Sequence, residues 1–370
     1  MFLDRIKNLL HPKSIETWYE KYEGRISALA LVLGFIFDNI FLGRVDSLND
    51  MLVLTTYIAI SGLCIVLIHM NEAKRHNLDN TRMHFWLAFC LQFCLGGIFS
   101  AYVVFYVRSA TLESSWPFLV LLGMYFLGNE YFKKYYLSLS FSLGVYFFAL
   151  LSYFILVVPT VLKSISSWIF VLSTVIAVFV FGLFVWIISL YKKEHIKINR
   201  NRRIAYYMTM LALINIFYFF NVIPPLPLIL KDAGVYHNLV RLTDGSYTLQ
   251  AENEGSWYNF FDSKQVFHRA GNEPVFVFSS VYSPVDLNLN VIHNWQKYDS
   301  KTGKWVTESN VTVAIKGGRQ GGYRLYSFKQ YIDDGIWRVN ILTESKRLIG
   351  RTNFEVVTVS DSATTTEVKK

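Results

Sequence analysis

The stretch that decides the fold runs from Ile204 to Leu230 and reads IAYYMTMLALINIFYFFNVIPPLPLIL. It is preceded by a dense basic loop, and its apolar run ends in Ile223-Pro224-Pro225-Leu226-Pro227. The residues before this boundary have the pattern of membrane helices. Those after it have the pattern of a soluble, strand-rich domain. We therefore predict two parts of different fold class, joined at this stretch.

Composition supports this division. The chain is 53% apolar and 17% aromatic, with a positive mean hydropathy of +0.31, which is too hydrophobic for an ordinary water-soluble protein of 370 residues. Its net charge of +9 is uneven, because residues 231–370 hold 17 Lys/Arg and 15 Asp/Glu while residues 1–230 hold 19 and 12. A basic excess in the apolar half is typical of charges that flank membrane spans, not of a nucleic-acid surface.

The region before residue 231 is predicted to be an α-helical membrane bundle of about seven transmembrane helices over residues 26–230. A helix needs about 20 residues to cross about 30 Å of hydrocarbon, and seven apolar segments come near that length. Residues 1–25 form an amphipathic basic segment, either a plain interfacial anchor or a sensor of lipid composition. The predicted spans are Ile26–Gly43, Met51–Met70, His84–Val107, Trp116–Phe132, Tyr135–Leu162, Trp168–Tyr191 and Ile204–Val222.

The loops between the spans indicate the orientation. Lys and Arg accumulate in short cytoplasmic loops, and here alternate loops hold sixteen of them against three on the other side. This pattern predicts a multi-pass protein of the cell membrane with a cytoplasmic N-terminus and an extracytoplasmic C-terminal domain. The segment from residue 116 to 132 is the weakest span, since Gly128-Asn129-Glu130 interrupts it, and a re-entrant hairpin is the alternative.

Polar groups inside spans are candidate functional residues, because burying them in lipid is costly. Asp38 and Asn39 lie two-thirds of the way along the first span, and Glu130 lies near the end of the fourth. One hypothesis is a polar cluster that handles a proton, an ion or a head group. The other is structural: Asp38 pairs with Arg44 while the amides bond across helices. The three cysteines lie in spans without matching ligands, so we predict no metal site.

After the boundary, the apolar pattern changes to the alternation of strands. Residues 231–273 contain turn signals and are predicted to be a linker segment with at most one hairpin. Residues 274–358 are predicted to be an all-β, immunoglobulin-like antiparallel sandwich, and residues 359–370 a disordered tail. The predicted strands are Val275–Tyr282, Leu287–Tyr298, Val311–Lys316, Tyr323–Tyr331, Ile336–Thr343 and Leu348–Val357.

These strands carry a family resemblance. The segments VIHNW (291–295), GGRQGGYRLYSFK (317–329), GIWRV (335–339) and LIGRTNFEV (348–356) resemble the C-terminal domain of uncharacterised bacterial multi-pass membrane proteins, the domain of unknown function number 2914. The resemblance implies a bacterial cell envelope protein with a β-sandwich. It implies no activity and no catalytic residues.

The same strands hold the candidate ligand-binding residues. Aromatic faces beside fixed hydrogen-bond donors suit the stacking of sugars or the binding of anions, although alternating aromatics in strands also form cores. The GGRQGG run that contains Arg319 is predicted to be a flexible turn, since it lacks the spacing and the following helix of a phosphate loop. The candidates are His293, Trp295, Arg319, Tyr323, Arg324, Tyr326 and Lys329.

The sequence limits the possible functions mainly through the catalytic motifs that it lacks. It contains no metalloprotease, nucleophile-elbow, Ser-x-x-Lys or P-loop motif, so we predict neither an enzyme nor a cofactor. Nucleic-acid binding is disfavoured. The first hypothesis is a binding or scaffold protein of the envelope, anchored in the lipid bilayer, whose partner is a glycan, a lipid head group or a protein. The second is a membrane carrier or lipid-acting protein that uses Asp38 and Glu130.

Overall fold

A computed structural model gives the fold, with six helices followed by eleven strands in the residues that it describes. The helices are α1 (Leu48–Met70), α2 (Leu78–Ser109), α3 (Leu112–Tyr131), α4 (Leu139–Val161), α5 (Ser167–Tyr191) and α6 (Arg200–Phe219). The described residues are 35, 36, 38, 40, 42, 47–70, 78–109, 112–131, 135–136, 138–191, 200–224, 228–243, 246–252, 265–283, 289–315, 322–361 and 363–370.

In the part of the chain that the structure describes, four helical segments are long and apolar enough to cross a membrane: Leu48–Met70, Trp86–Val107, Leu139–Val161 and Ser167–Leu190. Only 28% of the α5 window is buried, against 83% of the α4 window, so α5 exposes a largely apolar surface that a lipid environment would cover. These helices indicate membrane association.

The described residues thus contain six helices where seven spans were predicted. The first predicted span, together with the segment 1–25, lies almost wholly outside the described residues. The third helix has an apolar core of only Ser115–Asn129, and α6 begins with Arg200, Arg202 and Arg203. Neither α3 nor α6 therefore reaches the length and hydropathy of the other four.

The doubtful fourth segment forms one continuous helix and not a hairpin. Its 20 residues give α3 a length of about 30 Å. Near its end, the Asn129 side chain donates to the Gln92 carbonyl at 2.9 Å, and the Gln92 amide donates to the Asn129 carbonyl at 3.3 Å. The Tyr136 hydroxyl donates to Asn129 Oδ1 at 2.5 Å. This buried network fixes the end of α3 to α2, in the way that amides stabilise helix pairs in membranes.

The strands build three sheets, ordered β1-β5-β8, β4-β10-β9-β6-β7 and β11-β3-β2. All pairs are antiparallel except β4 with β10, which is parallel. The strands are β1 (Ile229–Tyr236), β2 (Asn238–Arg241), β3 (Tyr247–Glu252), β4 (Gln265–Ala270), β5 (Val275–Tyr282), β6 (Leu289–Asp299), β7 (Lys304–Ile315), β8 (Tyr323–Lys329), β9 (Gly335–Thr343), β10 (Leu348–Val359) and β11 (Thr365–Lys369).

Besides the parallel pair of β4 and β10, this architecture differs from the predicted antiparallel sandwich in two respects. The segment 231–273, predicted as a linker, contributes most of β1 and the whole of β2, β3 and β4. The segment 359–370, predicted as a disordered tail, contains β11, which pairs with β3 along its length. Lys370 at the chain end forms an ion pair with Asp232. The β-branched residues of β11 suit a strand, but its partner β3 lies over 100 positions earlier, so only the fold reveals the pairing.

The core of the β domain lies between the first two sheets. Trp295, Trp337 and Phe354 fill one end, and Val281, Val291 and Ile341 belong to the cluster at the other. Inward residues alternate along β6 and β9, as expected for strands with one face on a core. The third sheet packs against the other face of the first sheet, where Tyr247 and Leu249 form a cluster with Tyr236 of β1 and Phe278 of β5.

The ends of several helices belong to the same compact unit as the strands, which comprises residues 106–118, 155–173 and 214–370. Within it, the turn between β9 and β10 inserts Arg347 beside the end of α6. The buried Arg347 guanidinium donates to the carbonyls of Tyr218 and Ile223, the latter at 2.6 Å. It lies 3.5 Å from the centroid of the Tyr218 ring, which stacks on Phe170. The cation thus binds two carbonyls at and just beyond the C-terminal end of α6, where the helix dipole favours a positive charge.

Candidate functional site

Two of the predicted binding residues lie in the core of the β domain. His293 and Trp295 are both fully buried. His293 Nε2 lies 2.8 Å from the Ser279 hydroxyl, and its Nδ1 lies 2.8 Å from the Ser327 hydroxyl. The Trp295 indole also donates to the Ser327 hydroxyl, at 3.0 Å. Both side chains are therefore hydrogen-bonded parts of the interior and do not face a ligand. Burial lowers the pKa of His293 to about 4.

The other candidates in β8 point to two different faces. Tyr323 packs against the core, and Lys329 lies at its edge, 5.1 Å above the Trp337 ring. Arg324 and Tyr326 take the alternate positions on the outer side, where Tyr326 is 40% exposed. Arg319 lies outside the described residues. The structure therefore does not bring the seven candidates together on one surface.

The polar residues predicted inside the spans are only partly described. Asp38 is half-buried. Asn39 and the side chain of Glu130 lie outside the described residues. Across the described part of the chain, no three His, Cys, Asp or Glu side chains are placed to hold a metal ion.

A different site lies on the outer face of the five-stranded sheet. Because side chains alternate along a strand, the residues beside His293 and Trp295 point away from the core. In β6 these are Asn294 and Gln296, which stand opposite Asn340 and Arg338 of β9. We call this surface the polar sheet face. It comprises Asn294, Gln296, Thr307, Asn310, Arg338, Asn340 and Arg351.

Asn340 lies at the centre of a hydrogen-bond network on this face. Its amide donates to Asn294 Oδ1 at 3.3 Å and to Gln296 Oε1 at 3.1 Å. Its own Oδ1 accepts from Arg351 Nε at 2.6 Å. Arg338 Nε also donates to Gln296 Oε1, at 2.7 Å. Three strands, β6, β9 and β10, are therefore joined by side chains as well as by their backbones.

The network continues into the edge strand β7. The Asn294 amide donates to Asn310 Oδ1 at 2.7 Å, and the Gln296 amide donates to the Thr307 hydroxyl at 3.0 Å. Between these contacts the register of β7 shifts by one residue, so that both Thr307 and Asn310 face outward. Both are exposed, whereas Asn294 and Asn340 are buried by their neighbours.

An aromatic platform borders the polar sheet face. The Arg338 guanidinium lies 4.1 Å from the centroid of the Trp305 ring, and the Tyr298 ring meets Trp305 edge-on at 5.3 Å. A stacked guanidinium loses little freedom when it binds a ligand, since its orientation is already fixed. The surface therefore combines rigid amide, hydroxyl and guanidinium groups with a flat indole.

The polar sheet face is the site that sequence reasoning missed, although a signal was present. Polar residues recur at every second position in β6 and β9, at Asn294 and Gln296 and at Arg338 and Asn340. The prediction followed the aromatic residues at the intervening positions, which proved to be the core.

The segment that carries this site matches a family model of unknown function. Residues 288–356 match the model of "Protein of unknown function (DUF2914)", which confirms the resemblance for the C-terminal region. That segment contains the whole polar sheet face.

No curated protein matches the chain. A solved structure, the Pseudomonas fluorescens alkylpurine DNA glycosylase AlkC bound to DNA containing an abasic site analog, is 12% identical. The alignment covers 85% of this chain and 100% of that one at a TM-score of 0.23, which is too low to carry an argument.

Proposed function

We propose that this protein is a membrane-anchored, non-enzymatic binding protein of the bacterial cell envelope. Its helical part anchors the chain, and its β domain binds an envelope glycan through the polar sheet face on the extracytoplasmic side. The observation that carries this proposal is the hydrogen-bonded network that joins β7, β6, β9 and β10 beside Trp305.

The anchoring role rests on the apolar helices and the loop charges. Four helices are long and apolar enough to span a membrane. The alternation of basic loops supports a cytoplasmic N-terminus, and the seven spans predicted from the sequence, an odd number, imply that the β domain lies on the other side. Glycans of the envelope lie on that side.

The choice of a glycan rests on the chemistry of the face. Sugar hydroxyls both donate and accept hydrogen bonds, and the amides of Gln296 and Asn310 and the hydroxyl of Thr307 can do the same. The apolar face of a sugar ring packs on an exposed aromatic ring, a role that Trp305 can fill because it presents both an apolar face and a polar edge. Since the network fixes these groups before binding, little conformational entropy is lost on association.

Binding of soluble envelope glycans to the full chain in lipid nanodiscs tests the proposal, with isothermal titration calorimetry as the measurement. We expect saturable binding that Arg338→Ala weakens by about tenfold to a hundredfold, because it removes a guanidinium that both orients Gln296 and stacks on Trp305. Trp305→Ala should have a similar effect, because it removes the half-buried indole on which Arg338 stacks.

The matched control is Thr312→Ala. Thr312 is exposed and lies on the same face of β7, outside the network. We expect the control to bind like the unmodified protein. Absence of saturable binding to any glycan, or equal affinities for Arg338→Ala and Thr312→Ala, contradicts the proposal. Binding of phospholipid head groups or of a protein in place of glycans would do the same.

A further inference from the structure

A cluster of four titratable side chains lies at one corner of the β domain, away from the polar sheet face. His237 follows β1, Glu252 ends β3, His268 lies in β4, and Glu273 lies in the turn before β5. His237 is buried, and its ring stacks on Phe267 with 4.2 Å between centroids. The four side chains come from four different places in the chain. Their contacts therefore join parts of the fold that belong to different sheets.

Glu252 is the centre of this cluster. Its Oε1 lies 2.8 Å from His237 Nε2 and accepts from the backbone N–H of His268 at 2.6 Å. Its Oε2 lies 2.7 Å from His268 Nδ1. The other nitrogen of His237, Nδ1, lies 3.1 Å from Glu273 Oε1. One carboxylate thus accepts three hydrogen bonds, and the His237 ring bridges two carboxylates.

These bonds hold one sheet against the rest of the domain. Glu252 belongs to the sheet β11-β3-β2, whereas His268 belongs to β4 at the edge of the five-stranded sheet. The pairing of β11 with β3 makes the end of the chain depend on the same contact. If Glu252 became neutral, its protonated oxygen would be a donor and a much weaker acceptor, and the charge-assisted hydrogen bonds to both imidazoles would weaken.

We propose that Glu252 is an acid-sensitive latch, which holds the sheet β11-β3-β2 in place when it is ionised and releases that sheet when it is protonated. The charged neighbours that face it from the described elements are His237, His268 and Glu273. The guanidinium of Arg269 in β4 is directed elsewhere, to the carbonyls of Gly271 and Ile332. The latch is independent of glycan binding, since none of its residues belongs to the polar sheet face.

The direction of the pH effect follows from the pKa of Glu252. Burial raises this pKa, but the hydrogen bonds from His268 and His237 outweigh that effect and lower it below its ordinary value of 4.5. The stability that the latch contributes is therefore present above about pH 4.5 and is lost as the pH falls through the lowered pKa. Release of the sheet is therefore expected as the solution is acidified.

Hydrogen exchange measured by mass spectrometry on the full chain in detergent micelles, from pH 7 down to 3, tests the latch. After correction for the intrinsic effect of pH, we expect amides of β3 and β11 to lose at least about tenfold more protection than those of β6 and β9.

Glu252→Gln removes the charge and should cause this local loss already at pH 7, with little further change on acidification. Glu367→Gln, at an exposed position of β11, is the matched control and should behave like the unmodified protein.

Two results overturn the proposal. One is a loss of amide protection in β3 and β11 that is no larger than the loss in β6 and β9 as the pH falls. The other is a Glu252→Gln variant whose β3 and β11 amides retain the full local pH dependence. If the Glu252→Gln variant does not fold, the pH series measured on the unmodified protein still shows whether the sheet β11-β3-β2 is released.

Discussion

Replacement of Trp295 by alanine is expected to lower the free energy of unfolding of the β domain by about 3–5 kcal/mol, the range for removing a large aromatic side chain from a packed core. Trp295 has no exposed surface, meets the Phe354 ring edge-on at 6.1 Å, and donates to the Ser327 hydroxyl. The substitution therefore leaves a cavity and removes one of the two hydrogen-bond partners of the Ser327 hydroxyl, which keeps His293. Urea unfolding of the full chain in detergent, followed by pulse proteolysis of the β domain, measures the change.

The control for this substitution is another aromatic residue outside the core. Tyr331 is 77% exposed, and Tyr331→Ala should change the free energy of unfolding by no more than about 0.5 kcal/mol. A Trp295→Ala domain that unfolds within about 1 kcal/mol of the unmodified domain, yet no longer binds ligand, would place Trp295 in a binding site and not in the core.

Acidification is expected to destabilise the β domain through His293. Its pKa of about 4 lies below the ordinary value of 6.5, because burial disfavours the charged imidazole. The unfolded chain therefore takes up a proton between pH 6.5 and 4 that the folded domain does not, so stability falls as the pH falls across this window. The loss amounts to about 3 kcal/mol at pH 4, at about 1.4 kcal/mol for each pKa unit.

The His293→Gln variant isolates this contribution. Glutamine retains a donor and an acceptor for Ser279 and Ser327 but does not titrate. Whatever the variant costs at pH 7, its free energy of unfolding should fall less steeply between pH 6.5 and 4 than that of the unmodified protein. Parallel curves for the two proteins would show that His293 becomes charged inside the fold without penalty. The same urea titration, repeated at each pH, provides both curves.

Much of the β domain could be predicted from the sequence, because its inner strands have strongly alternating patterns. The predicted strand Val275–Tyr282 coincides with β5, and the predictions for β8, β9 and β10 differ from the structure by one or two residues at their ends. The first half of β7 was missed, since Lys304, Glu308 and Asn310 give it no apolar alternation. It faces solvent on one side and forms a strand because it pairs with β6.

The strands outside this inner set depend on partners distant in sequence. The strand β4 pairs in parallel with β10, 89 positions later for the Gln265–Phe354 contact, and β11 pairs with β3. Neither segment has a local pattern that specifies a partner. Local propensity cannot supply such pairings, because their stability arises only when the sheets assemble.

The sequence predicted the strands that carry the candidate site, but not which of their two faces forms it. Both sides of β6 carry residues suited to binding: His293 and Trp295 on one, Asn294 and Gln296 on the other. Which side is buried depends on the sheet that packs against it, and β5 and β8 contribute Ser279 and Ser327 to the inner side. The outer side therefore directs its amides away from the core, into the hydrogen-bond network of the polar sheet face.

The most direct test asks whether the β domain lies on the extracytoplasmic side, where the glycan ligand would be. A cysteine is introduced by Lys301→Cys and labelled in intact cells with a membrane-impermeant maleimide. Lys301 lies in the exposed turn between β6 and β7. The native cysteines Cys64, Cys90 and Cys94 lie in α1 and α2, and unmodified protein measures their background. Lys193→Cys, in the basic stretch 192–203 that the sequence predicts to be cytoplasmic, is the matched control. We predict that Lys301→Cys is labelled without permeabilisation and Lys193→Cys only after it; the reverse pattern would contradict the extracytoplasmic location and, with it, the binding of an envelope glycan.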